Sequence, residues 1–201
     1  MIAKPESPSR ARPGRPRSET VRQAILGATL ELLEESGLAG LTMEAIAARA
    51  GVGKATLYRW WPTRGLVALD AMMREIESAA GVATSGRFRE TMIANVRALI
   101  VLYTTTARGH AIAAIIGEMQ RDPELAEAFR ERLMAKRRAA LRKLIEAASL
   151  RGELRSDVDP ELVIDLIYSP IYLRLLLRHL PLDEQFAEQV VDAALTGLAR
   201  R

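Results

Sequence analysis

The sequence contains no cysteine, which excludes disulfides, a thiol redox switch and thiolate metal sites. Histidine is almost as scarce: His110 and His179 are the two present, neither has a second histidine at ligand spacing, and no metal is expected. No glycine-rich phosphate loop, nucleophile elbow or paired-carboxylate constellation occurs, so the reading is of a protein that is not an enzyme and needs no cofactor. There is no uninterrupted apolar run of about 18 residues, and the basic N-terminus is not followed by an apolar segment. The expectation is a soluble, cytoplasmic protein with no membrane partner. Aromatic residues make up 4% of the chain, while Ala, Leu, Glu and Arg dominate, a composition that favours helices throughout.

Charge is unevenly placed. Residues 1–22 hold Lys4, Arg10, Arg12, Arg15, Arg17 and Arg22 against Glu6 and Glu19, which accounts for the whole formal charge of +4. The remainder is neutral overall, so a basic tail is fused to a neutral body. Residues 1–17 carry Pro5, Pro8, Pro13 and Pro16 and little that is apolar, so they are expected to be disordered. Arg12, Arg15 and Arg17 alternate with Pro and Gly in a string that suits a minor-groove arm, and a solubilising tail would look the same.

The most informative stretch is TMEAIAARAGVGKATLYRWWPTR, residues 42–64. Thr42 stands where an N-cap belongs, and Met43, Ile46, Ala47 and Ala50 recur at helical spacing. Gly51 ends that helix. Leu57 and Trp61, four apart, mark a second helix that Pro62 stops. Two short helices on a tight glycine turn have the form of a helix-turn-helix. Arg49, Lys54, Arg59 and Arg64 lie between residues 45 and 64 without an acid, so one surface is expected to be cationic. Upstream, Ser18 is read as an N-cap, and Val21, Ile25, Ala28 and Leu32 form a stripe that Gly37 closes; this helix would hold the motif rigid.

These residues resemble the DNA-binding domain of TetR-family transcriptional regulators. The resemblance rests on Ile46-Ala47, Ala50-Gly51-Val52, Thr56-Leu57-Tyr58, Trp61 and Arg64, and covers residues 15 to 68. Gly53 departs from the family's usual serine cap, and Trp60-Trp61 from its usual Tyr-Phe or His-Phe. Position on the second helix makes Lys54, Ala55 and Arg59 candidates for base edges. The resemblance implies phosphate contacts from Thr56, Tyr58, Trp60 and Arg64, joined by Thr42 at the start of the preceding helix.

Thr63 is expected to cap a helix carrying Leu66, Leu69 and Met73, which the resemblance makes the lever between the DNA unit and the body. Residues 81–86 end it. Two helices apolar on most of their circumference follow, with a break expected near Gly109, and such helices belong inside a body. Asp122-Pro123 and Asp159-Pro160 each start a further helix as N-cap and first helical residue. The basic cluster Lys136, Arg137, Arg138, Arg142 and Lys143 lies on the first of these and is read as a solvated face. Pro170 should kink the second, which ends near His179, itself read as a cap. Asp183 caps the last helix.

The expected fold is all-α: a three-helix helix-turn-helix domain over residues 18–65 and a ligand-binding and dimerisation bundle over 66–201. About nine helices are anticipated, the last two pairing with a second copy in a four-helix bundle. Residues 159–195 also resemble the C-terminal domain of one TetR subgroup. Polar groups among apolar helices make Tyr103, Thr106, His110, Tyr168 and Tyr172 candidate ligand contacts, with Met92, Met119 and Leu166 as walls. No charge pair accompanies them, so a mostly apolar small molecule is expected. The resemblance implies a homodimeric repressor released from a palindromic double-stranded operator by that effector. A helical carrier or protein-interaction body with a basic anchoring tail is the alternative.

Overall fold

The computed structural model describes residues 15–105 and 107–198, with the backbone alone described for 15–17, 107–108 and 198. Nine helices and no strand occur among the described residues. α1 is Arg15–Gly40, α2 Met43–Arg49, α3 Lys54–Trp60 and α4 Arg64–Ala79. The body continues with α5 Phe88–Thr104 and α6 Ala107–Glu118. α7 spans 123–150 and contains a wide turn at Phe129–Met134. α8 is Pro160–Leu177 and α9 Glu184–Leu198.

Helix starts follow local capping chemistry. Thr42, Thr63, Asp122, Asp159 and Asp183 each accept a backbone N–H from two or three residues ahead, at 2.8–3.3 Å, satisfying donors a helix leaves free. Gly37 breaks α1 with φ 64°, a conformation that costs glycine little.

Three boundaries differ from expectation. α1 begins at Arg15, not after Ser18, because a proline in the first turn forfeits no hydrogen bond. α5 ends at Thr104 and α6 starts at Ala107, and Gly109 sits inside α6, where a Cβ would overlap the Tyr103 carbonyl oxygen. Its glycine serves close approach. α8 ends at Leu177, where Arg178 turns left-handed at φ 51° and its N–H bonds the Arg174 carbonyl; His179 is exposed beyond that end.

α1 lies against α2, α4 and α6, and α5 is held between α6 and α9. Ile25, Leu33, Leu69, Met72, Met92 and Leu99 are among the fully buried side chains, in one continuous core. Arg89 pairs with Asp192 and Arg97 with Glu188, fastening α5 to α9. No single helix among the described residues is long and apolar enough to cross a membrane.

Candidate DNA interface and effector site

The helix-turn-helix is built on a small core. Leu41, Met43, Ile46, Ala47, Leu57 and Trp61 are buried, which fixes α3 against α2. Gly51, at φ 65°, turns the chain, and the Val52 N–H closes the turn on the Ala47 carbonyl at 3.0 Å. Trp61 ends α3 and is 2% exposed. Its indole N–H donates to Asp70 on α4 at 2.8 Å. Asp70 also receives Arg132 from α7 at 3.1 Å and Arg22 from α1 at 3.6 Å, so one carboxylate joins the recognition helix to three others.

Lys54, Ala55, Tyr58 and Arg59 are exposed on α3, while Thr56 and Trp60 are half-buried. Gly53 caps this helix without a side-chain bond. Thr42 is exposed at the start of α2. Arg12 lies outside the described residues, and Arg15 and Arg17 belong to the first turn of α1, not to an extended arm.

The cationic surface is narrower than a count of basic residues suggests. Arg49 is gripped by Glu35 through two bonds of 2.8 Å and by Glu31 at 3.2 Å. Lys54 pairs with Glu44 at 2.9 Å, and the lysine holds the Glu44 carboxyl below its ordinary range. Arg64 differs most from expectation. It donates to the Ala39 and Leu41 carbonyls at 3.3 Å and to Glu118 of α6 at 3.2 Å, so the bends before α2 occupy a guanidinium assigned to phosphate. Arg59, by contrast, lies over the Trp60 ring at 5.6 Å and has no carboxylate partner among the described residues. Replacing Glu44 with Gln should therefore release Lys54 and tighten DNA binding by about two- to fivefold at low salt; a fluorescence-anisotropy titration showing unchanged or weaker binding would contradict this.

The body gathers some of the expected effector contacts and scatters others. Tyr103 and Tyr172 bring their hydroxyls to 3.5 Å, and the Tyr168 hydroxyl lies 3.9 Å from the Met92 sulfur. Burial pushes the Tyr103 phenol well above its usual range and that of Tyr168 up to about 12, so both remain neutral donors at ordinary pH. Met119 is half-buried. His110 and Leu166 are exposed, Leu166 at 45%, and neither lines the tyrosine cluster; α8 turns Leu166 to its outer face. Thr106 lies outside the described residues.

A crevice of about 40 Å³ beside Tyr168 and Tyr172 is also lined by Leu133 and Arg137. Those two residues line a larger cleft of about 300 Å³ as well, between the end of α4 and α7. The basic cluster of α7 is thus not simply a solvated face. Lys136 pairs with Glu77, Arg137 donates to the Ala80 carbonyl at 2.7 Å, and Arg138 pairs with Glu161 and Asp165. The sequence signal for Arg137 was slight: its four-residue spacing from Leu133 places both on one face.

A buried-core helix-turn-helix with an exposed second helix, joined through α4 to an apolar helical body, defines a helix-turn-helix transcriptional regulator. The family model for bacterial regulatory proteins of the tetR family matches residues 25–65, and that for the tetracyclin repressor-like C-terminal domain matches residues 82–194. The chain is 35% identical to the HTH-type transcriptional regulator YdeS of Bacillus subtilis, across 92% of this chain and 93% of that protein. It is 29% identical to the DNA-binding transcriptional repressor TetR of Mycobacteroides abscessus, across 92% and 96%. The crystal structure of the TetR family transcription regulator SCO0332 superposes with a TM-score of 0.79 at 36% identity, covering 90% of this chain and 99% of that one. The chain belongs to the TetR family of DNA-binding transcriptional regulators.

Proposed function

We propose that this regulator is a homodimeric, cytoplasmic repressor without catalytic activity, released from a palindromic operator by a small-molecule effector. Residues 18–65 form its DNA-reading domain and 66–201 its effector and dimerisation domain. The observation that carries the reading is the exposed face of α3, which offers Lys54, Ala55, Tyr58 and Arg59 together on a helix pinned by buried Leu57 and Trp61. Lys54 and Arg59 suit guanine edges. Thr42, Thr56, Tyr58 and Trp60 serve phosphate, whereas Arg64 positions the motif.

Dimerisation through α8 and α9 is supported by an uncovered apolar row on α8: Leu162, Leu166, Leu173, Leu176 and Leu177 are each 43–64% exposed. Leu166 and Pro170 form a groove with Val190, Ala194 and Gly197 of α9. A second copy would bury this surface, with recognition helices spaced about one helical turn of DNA apart, roughly 34–36 Å. An effector that prefers a differently spaced conformation shifts the population off DNA by its differential affinity. The half-buried Met119 forms a wall of the effector site, and Met92, Tyr103, Tyr168 and Tyr172 its inner end.

Selection of bound duplexes from random DNA tests the reading, and an enriched inverted repeat is expected. On the selected site Arg59→Ala should lose about 1–3 kcal/mol and relax preference at one base pair. Equal loss on all sequences would reduce Arg59 to a phosphate contact. Binding without any enriched sequence would overturn the operator reading.

A further inference from the structure

The cleft between the end of α4 and α7 has an apolar floor and a basic rim. Ile76, Val82, Leu133 and Ala140 form the floor, while Arg132, Lys136 and Arg137 meet a single acid, Glu77, around it. Two of the three cations are already neutralised, Arg132 by Asp70 and Lys136 by Glu77. Arg137 has no carboxylate within ion-pair distance among the described residues. Its Nη1 is anchored on the Ala80 carbonyl at 2.7 Å and its Nη2 is buried without a hydrogen-bond partner of normal geometry; the neutral Tyr168 hydroxyl, whose titration the guanidinium lowers, is its other polar neighbour, so its charge is left uncompensated. A buried guanidinium nitrogen left unmatched is costly, and an anion placed against it recovers that cost. The wide turn at Phe129–Met134 helps to present Leu133 and Arg132, and such turns inside α-helices are frequent at functional sites.

We propose that this cleft binds a small amphipathic monocarboxylate, with its carboxylate on Arg137 and its apolar body over Ile76, Val82 and Leu133. The proposal rests on the reading of the chain as an effector-responsive regulator and gives the expected, mostly apolar effector one charged group. One guanidinium without a carboxylate partner, beside an apolar floor, selects a single anionic group on an apolar frame; a multiply charged, wholly polar anion would leave that floor unfilled. The tyrosine crevice behind Arg137 offers neutral hydroxyl donors close to the same position.

The test is calorimetric titration of the full chain with hexanoate, octanoate, benzoate and phenylacetate, each beside its primary amide at matched ionic strength. At least one carboxylate is expected to bind with a Kd below about 1 mM, and its amide at least about tenfold more weakly. Arg137→Gln should weaken the carboxylate by about tenfold or more, and Arg137→Lys by less, since it keeps the charge but loses the planar fork. Arg142→Gln, which changes a cation outside the cleft, should bind as the parent does. Circular dichroism confirms that each variant is folded, and the lysine variant keeps the test open if the glutamine variant is not. Failure of every carboxylate to bind, amides binding as well as acids, or undiminished binding in Arg137→Gln overturns the proposal. Operator binding by the same proteins separates the two readings. Release from a selected operator by amides alone would sink the carboxylate site and leave the repressor intact. Arg137-dependent carboxylate binding in a protein with no operator would do the reverse.

Discussion

Trp61→Ala is expected to destabilise the protein by about 3–5 kcal/mol, the usual range for deleting a large buried aromatic. The indole is 2% exposed and closes the small core beneath α3, so its loss opens a cavity where few neighbours can collapse. It also removes the N–H that Asp70 accepts at 2.8 Å. Trp61→Phe separates the two effects, because it keeps much of the packing and deletes the donor, at about 1–3 kcal/mol. Guanidinium unfolding followed by circular dichroism measures both. A loss below about 1 kcal/mol for Trp61→Ala would mean that the tryptophan is not the keystone of this motif.

Gly109→Ala is the second large effect, and it arises in the body. An added Cβ would overlap the Tyr103 carbonyl oxygen and stand 2.7 Å from the Tyr103 Cα. The obstacle is backbone, so no side-chain rotation relieves it, and the start of α6 must move away from the end of α5. The expected cost lies at or beyond the upper end of the range of about 1–3 kcal/mol for overpacking. Gly117→Ala, in the same helix with open space around its Cα, is the control and should be neutral or slightly stabilising. Thermal unfolding that ranks the two variants equally would refute the close approach.

The same glycine shows what can be read from order along the chain. Caps such as Thr42, Thr63 and Asp122 bond to donors three residues ahead, and Gly37 and Gly51 take positive φ. All of these are local, and each was legible from residue type and spacing. The break expected near Gly109 falls just before it, between Thr104 and Ala107, but its reason was hidden, because glycine's two uses, an unusual φ and a missing Cβ, look identical in a sequence. Arg64 fails for a related reason. Its partners are Ala39, Leu41 and Glu118, and no periodicity announces that a helix 54 residues onward will present a carboxylate. That Met92, Tyr103, Tyr168 and Tyr172 come together inside the body was foreshadowed by polar groups set among apolar helices. Arg137 was hidden inside a basic run, where only the packing of α7 against α4 distinguishes it from Lys143.

The clasp of Glu31 and Glu35 on Arg49, and of Glu44 on Lys54, bears on how operator binding responds to salt. A free cation that meets a phosphate expels condensed counterions from the duplex, which gives a slope of about −0.9 in log K against log salt per contact. A cation already matched by its own carboxylate brings little net charge, so its contribution to that slope is muted. A salt titration of this protein therefore counts the unclasped cations of its DNA-facing surface, and Glu44→Gln should add to the count.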